Sequence, residues 1–230
     1  DQDDVWKKNK LEKHLKKFKD HPESILVFSN AACVLNTIDN YLYPLWDDLE
    51  KTSSFETLVY NGGSVAGCCM SFKKELLDGM YPFPDDVYHD DYLITVAALK
   101  GEINYVNEEL IYYRQHGNNV FGITRGSKFS YYKSLFTNVD SYLKHREYIY
   151  IRHQLMYKAL INHGFVDKEL LLKLNENLEF CKHRANIRNV EKKESKLLAK
   201  QDLKKGYYTK YADGIRVYIK DLYDISVMGI

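Results

Sequence analysis

The chain contains few cysteines, and their spacing excludes two common uses of this residue. Four are present, none separated by the two residues that structural zinc sites place between their thiolates. Two of them are adjacent, and a pair of neighbouring cysteines is a poor disulfide. We therefore expect no structural zinc, no disulfide framework and a reducing compartment. The cysteines are Cys33, Cys68, Cys69 and Cys181.

Several other signals are missing. The apolar runs fall short of the ~18 residues that a membrane-spanning helix needs. The net charge of +1 gives no electrostatic footprint for nucleic acid. A glycine-rich phosphate loop is also missing, which argues against a phosphoryl-transfer enzyme. The chain opens without Met or a signal-peptide pattern, so we expect a processed or truncated cytoplasmic protein that does not bind nucleic acid.

The residues that are present predict a soluble globular α/β protein. Hydrophobic residues make up 45% of the chain and charged residues 28%. Up to about residue 122, short apolar segments typical of strands alternate with helical patterns. Beyond it the patterns are long and helical, and proline is absent from Asp85 onward. This predicts an α/β domain over 1–122 and a helical subdomain over 123–230.

Local patterns predict the main elements of the first domain. Leu11, Leu15 and Phe18 fall at the spacing of one apolar helical stripe, between residues 8 and 19. Another helix is expected from Tyr92 to Leu99, ending at a Lys-Gly pair typical of a helix C-terminus. The remaining predictions are strands over 25–28, 32–35, 103–106 and 110–113, a helix over 41–49, and a buried strand over 64–72 that leads into a helix over 73–77.

The first acidic cluster opens the chain. Asp1 and Asp3 would point the same way from an extended segment, where their charges repel unless a cation lies between them. Hard divalent ions bind through one or two such carboxylates together with substrate phosphates. The cluster therefore predicts either a metal–diphosphate site or a solvated acidic terminus.

Two further clusters have the character of functional sites. His89, Asp90 and Asp91 precede the predicted helix over 92–99. An ionised carboxylate there could accept a proton from a substrate hydroxyl or merely cap the helix. His116 lies on a Gly/Asn-rich stretch just after a predicted strand, so it is either a ligand in a cleft or a structural histidine. Arg114, close by, could stabilise diphosphate charge.

Taken together, the three clusters resemble the motifs of family 2 glycosyltransferases, especially the bacterial rhamnosyltransferase-like members. The opening DQDDVW is similar to the aspartate motif of that family, and His89-Asp90 to a variant of its Glu-Asp motif. The string from Tyr112 to Asn119 is similar to the end of its catalytic domain. The resemblance implies the C-terminal part of a GT-A domain, beginning at the DxD motif and lacking the upstream nucleotide-binding half.

The resemblance also implies a role for each candidate residue. Asp90 would be the catalytic base, with Asp91 as the alternative. A Mn²⁺ or Mg²⁺ ion would be held by Asp1, Asp3 and His116. The donor diphosphate would contact Arg114, Asp4 and Trp6, and the acceptor would contact Gly67, Cys68, Cys69 and His89.

The implied activity is an inverting, metal-dependent transfer from a nucleotide sugar to a glycan or lipid-linked saccharide in bacterial surface polysaccharide synthesis. Without the nucleotide-binding half, this chain alone is expected to be inactive. The alternative is a non-catalytic remnant that binds a glycan or a protein partner. The helical tail would be either a packed subdomain that shields the acceptor cleft or forms a homodimer, or an interfacial helix at the inner face of the cell membrane.

Overall fold

The computed structural model describes residues 3–115 and 139–228. The chain divides into two compact units. The first comprises Asp1–Val59 and Gly63–Thr124, and the second comprises Tyr60–Gly62 and Arg125–Ile230.

The first unit is built on a mixed five-stranded sheet, so the prediction of an α/β fold is confirmed. The strands are β1 (Val5–Trp6), β2 (Ser24–Leu35), β3 (Tyr41–Pro44), β4 (Met70–Phe72) and β5 (Glu102–Gln115). Their order in the sheet is β1-β5-β2-β3, and β4 also pairs with β2. Strands β2 and β5 are parallel, whereas the other pairs are antiparallel.

Strand β2 forms the centre of this sheet and is buried along almost its whole length. It is apolar on both faces, as expected for a strand that pairs with a parallel neighbour under covering helices. Its polar Asn30, where the sequence predicted a break between two strands, stays in the strand. The Asn30 side chain donates to the Trp46 carbonyl (2.8 Å) and accepts from the Trp46 N–H (3.1 Å), which satisfies the buried amide.

Three α-helices accompany the sheet: α1 (Lys10–Asp20), α2 (Leu49–Ser53) and α3 (His89–Lys100). Short irregular turns connect them, a π turn over Glu56–Tyr60 and 3-10 turns over Gly67–Cys69 and Lys74–Leu77. Two strands were predicted on either side of Asn30, and two on either side of residues 107–109. In the structure each pair is one continuous strand, β2 and β5 respectively, and the pairing between β2 and β5 shifts register.

Two local predictions were wrong. The segment 41–49, predicted helical, begins as strand β3 because its aromatic residues pair with β2 at the sheet edge, where Pro44 needs no ladder N–H. The predicted buried strand over 64–72 is strand only in its last three residues. Its middle forms the 3-10 turn Gly67–Cys69, closed by a 2.9 Å bond from the Cys69 N–H to the Ala66 carbonyl.

The second unit is helical. Gly164 (φ +73°) and Gly206 (φ +75°) follow the helices Val139–Asn162 and Lys192–Lys204. An L side chain would be strained in this left-handed backbone conformation. An apolar core of Leu143, Ile187, Ala199 and Ile225 lies between the helices. These are α4 (Val139–Asn162), α5 (Lys168–Ala185), α6 (Lys192–Lys204), α7 (Tyr207–Tyr211) and α8 (Ile215–Met228), with a 3-10 turn over Asn186–Arg188.

Among the helices of residues 3–115 and 139–228, none combines the length and the apolarity needed to cross a lipid bilayer.

Candidate active site

Asp90 lies in the first turn of α3, which begins three residues before the predicted helix over 92–99. Its Oδ2 accepts a hydrogen bond from the Gly67 N–H (3.3 Å), and its Oδ1 accepts one from the Asp91 N–H (3.0 Å). The positive end of the helix dipole favours the ionised carboxylate. Asp90 is half-buried and Asp91 is only 7% exposed, so Asp90 is the more accessible of the two candidate bases.

Gly67 faces Asp90 and His89 directly. A Cβ added at Gly67 would lie 3.4 Å from Asp90 Cβ, 3.8 Å from Asp90 Oδ2 and 3.9 Å from His89 Nε2. Because Gly67 has no side chain and is exposed, a ligand can reach the carboxylate across its backbone. Three residues that the sequence singled out for catalysis and acceptor binding therefore share one small surface.

The two cysteines of the turn have different surroundings. Cys69 is fully buried and Cys68 is half-buried, and their sulfur atoms are 3.8 Å apart. Burial, together with the neighbouring Cys68 thiol, raises the pKa of Cys69 well above its usual range. Cys69 is therefore a protonated, packed thiol at neutral pH rather than a nucleophile.

Asp4 joins the first and third motifs. Its Oδ1 accepts a hydrogen bond from the Arg114 backbone N–H (3.1 Å), next to the antiparallel pairing of β1 with β5. Burial raises the pKa of the Tyr113 phenol to about 12, reinforced by the Asp4 carboxylate and then by the two cysteines of the turn. The Asp4 carboxylate also contributes, as the smallest of several causes, to the raised pKa of Cys69.

Arg114 and Trp6 have contacts that the sequence did not predict. The Arg114 guanidinium donates from Nη1 to the Asn36 carbonyl (3.0 Å). Trp6 is 52% exposed on the edge strand β1, with the Lys10 ammonium 3.6 Å from the centre of its ring.

The predicted metal ligands are only partly within the described structure. Asp3 is half-buried in the turn before β1, whereas Asp1 and His116 lie outside the described residues. In the ranges 3–115 and 139–228, no three histidine, cysteine or acidic side chains are grouped so as to hold a metal ion.

Sequence reasoning missed two residues beside this site, Lys10 and His14. Both are only 1% exposed, one turn apart on the face of α1 that packs on the sheet. Leu11 and Leu15 of the predicted apolar stripe are instead 54% and 60% exposed. The signal that could have found the buried pair is its i,i+4 spacing directly after the acidic motif.

His14 is neutral in this position. Its Nδ1 is 2.8 Å from the Ser71 hydroxyl on β4. Burial, and secondarily the charge of Lys10, lowers the His14 pKa to about 4. Its Nε2 has no hydrogen-bond partner among the described residues.

No protein-family model matches the sequence, and searches among curated proteins and solved structures also found no match.

Proposed function

We propose that the first unit is part of an inverting family 2 glycosyltransferase with a GT-A fold, transferring a sugar from a nucleotide-sugar donor to a glycan or lipid-linked acceptor. The observation that carries the proposal is the position of Asp90. Its carboxylate stands at the N-terminus of α3 against the exposed Gly67 backbone. The order of the motifs along the chain supports the same assignment.

Asp90 would act as the base. Its oxygens hold one N–H bond each, from Gly67 and Asp91, and retain lone pairs for a further donor. As the acceptor oxygen bonds to the anomeric carbon, the proton of the acceptor hydroxyl passes to Asp90. The bond from that carbon to the diphosphate breaks on the opposite face, which inverts its configuration. The two N–H bonds fix the carboxylate for this transfer.

We place a divalent ion at the acidic start of the chain. Asp3, in the turn before β1, offers the carboxylate oxygens that Mg²⁺ and Mn²⁺ prefer. Asp1, Asp3 and His116 are the proposed ligands, and when bound the ion would supply Lewis-acid stabilisation of the leaving diphosphate.

The proposal is tested by a screen for nucleotide-sugar hydrolysis and transfer with Mn²⁺ or Mg²⁺, using this chain beside the full product of its gene. In the active form, Asp90→Asn should lower the transfer rate by about 10²–10⁴-fold, the usual contribution of a general base. Asp86→Asn changes an exposed acid in the loop before α3 and should leave the rate unchanged.

Full transfer activity in Asp90→Asn would show that the base is misassigned. Glycan binding by the wild-type protein without transfer in any condition of the screen would instead favour the non-catalytic remnant.

A further inference from the structure

Lys10 is a buried cation without an anionic partner in the described residues. The residue is 1% exposed, and within the described part of the chain its Nζ donates no hydrogen bond. The nearest compensation is the Trp6 ring, whose centre is 3.6 Å from the ammonium. Contact with an indole ring offsets part of the hydration free energy that a cation loses on burial. An ammonium group also has three N–H donors, and these need acceptors.

The thiols beside Lys10 do not supply that anion. Burial lowers the Lys10 pKa, and the nearby Cys69 and Cys68 oppose this only in part. Cys69 is itself held protonated by burial. A buried unpaired charge lowers the free energy of unfolding of the protein. An anionic ligand that paired with Lys10 would restore that stability.

The position of Trp6 gives such a ligand a route to the ammonium. Trp6 ends β1, a two-residue strand at the sheet edge, and is 52% exposed. The Lys10 ammonium lies against this exposed indole. A rotation of the Trp6 side chain, which stands on an edge strand, is a small motion that would uncover the ammonium on that side.

We propose that Lys10 is a phosphate-binding residue, and that the diphosphate of the nucleotide-sugar donor replaces the Trp6 ring on its ammonium. This rests on the proposed function, since it adds a second cation for the leaving group beside the acidic motif. Lys10 opens α1, six residues after Asp4 in the chain. The buried His14 Nε2, unpartnered in residues 3–115 and 139–228, is available as a further contact.

The test uses inorganic pyrophosphate as the probe and isothermal titration calorimetry as the measurement. We expect the wild-type chain to bind it and Lys10→Met to bind about tenfold more weakly or worse, the value of one charge-assisted hydrogen bond. Lys10→Arg should retain part of the affinity. Lys7→Met is the matched control, because the Lys7 ammonium also lies over an aromatic ring, 4.9 Å from the centre of Tyr112, but is not fully buried.

Two further readouts separate binding from folding. Thermal unfolding should show that Lys10→Met without ligand is at least as stable as the wild type, because the unpaired buried charge is gone. In a Trp46→Phe background, Trp6 fluorescence should change on adding pyrophosphate, and this change should be lost in Lys10→Met.

The inference is overturned if the wild type fails to bind pyrophosphate at about 10 mM, a very weak affinity, or if Lys10→Met binds as tightly as the wild type. Its failure is distinguishable from failure of the proposed function. Transfer that depends on Asp90 with no role for Lys10 would leave the glycosyltransferase standing. Pyrophosphate binding that depends on Lys10 in a chain without transfer activity would leave only the anion site.

Discussion

At the scale of single residues, the first unit holds ionisable groups where water is scarce. Lys10 and His14 share one buried face of α1, where burial lowers the pKa of His14 to about 4, assisted by the charge of Lys10. His14 gives up its proton more readily than Lys10, so the imidazole is neutral and the lysine keeps the charge. The folded state is therefore sensitive to acid at this position.

We expect the free energy of unfolding to fall as the pH is lowered from about 6.5 to 4, because His14 then binds a proton in the unfolded chain but not in the folded one. The loss is on the order of 3 kcal/mol for the histidine. Urea unfolding of His14→Gln should show a shallower decline over this window. His153, whose pKa burial also lowers to about 4, leaves part of the slope in place.

His21→Gln is the control for this experiment, since His21 is a partly exposed histidine that contacts Glu23 at 3.3 Å. The free energy of unfolding of His21→Gln should depend on pH as that of the wild type does. If the stability of His14→Gln also followed that of the wild type throughout this pH window, the assignment of His14 as a neutral buried histidine would be wrong.

At the scale of elements, one amide connects three parts of the helical unit. The Asn177 side chain on α5 donates to the Tyr60 carbonyl (2.9 Å) and to the Tyr157 hydroxyl on α4 (2.7 Å). Its Oδ1 accepts from the Cys181 thiol (3.6 Å), and the residue is fully buried. Since buried polar groups need partners, Asn177 fixes where α5 lies against α4 and the 60–62 segment.

Asn177→Leu should destabilise the protein by about 2–4 kcal/mol, because it leaves the Tyr60 carbonyl and the Tyr157 hydroxyl buried without this donor. Asn175→Leu is the matched control, the same change at an exposed position of the same helix, and should cost less than about 0.5 kcal/mol. Chemical denaturation of both variants measures the difference, and equal stabilities would contradict the role given to Asn177.

At the scale of the whole molecule, the two units are stabilised by different means. The first buries apolar strands, whereas the second also buries a network of charges. Asp221 accepts hydrogen bonds from Arg146, from Arg184 Nε (2.9 Å) and from the Tyr208 hydroxyl (2.8 Å). Asp224 accepts from Arg146 Nη2 (2.8 Å) and from Lys220.

Burial raises the pKa of Asp224 and lowers that of Lys220, so each of these charges depends on its partners. Packed tyrosines, among the twenty of the chain, also stabilise this unit. Tyr208 and Tyr211 pack with Phe180, with ring centres 5.0 and 6.3 Å apart.

Asp221→Asn should destabilise the helical unit by about 3–5 kcal/mol, since it removes a charge from a buried pair and leaves two guanidinium groups poorly compensated. Hydrogen exchange should therefore become faster in α4, α5 and α8. The amides of β2, in the other unit, should keep their exchange rates.

Asp213→Asn, at an exposed position before α8, is the control and should change neither set of rates. Faster exchange throughout β2 in Asp221→Asn would show that the two units do not keep separate stabilities.

The elements that the sequence predicted well are those with strong local signals. Helix α3 combines acids in its first turn, an apolar run from Tyr92 and Gly101 after its end. Strand β2 was recognisable from its apolar runs on either side of Asn30, although not as one strand. The two wrong element predictions, the helix over 41–49 and the strand over 64–72, fell where packing overrides propensity. The same holds for the apolar stripe of α1, whose Leu11 and Leu15 are exposed.

By itself, the sequence determined the α/β class of the first unit, the helical character of the described tail and the place of Asp90 at a helix start, because each follows from short-range periodicity and composition. Only the tertiary structure decided that Gly67 binds Asp90, that Asp4 binds the Arg114 N–H and that Lys10 is buried. These contacts depend on long-range pairings such as Val5 with Tyr112, which no local pattern specifies.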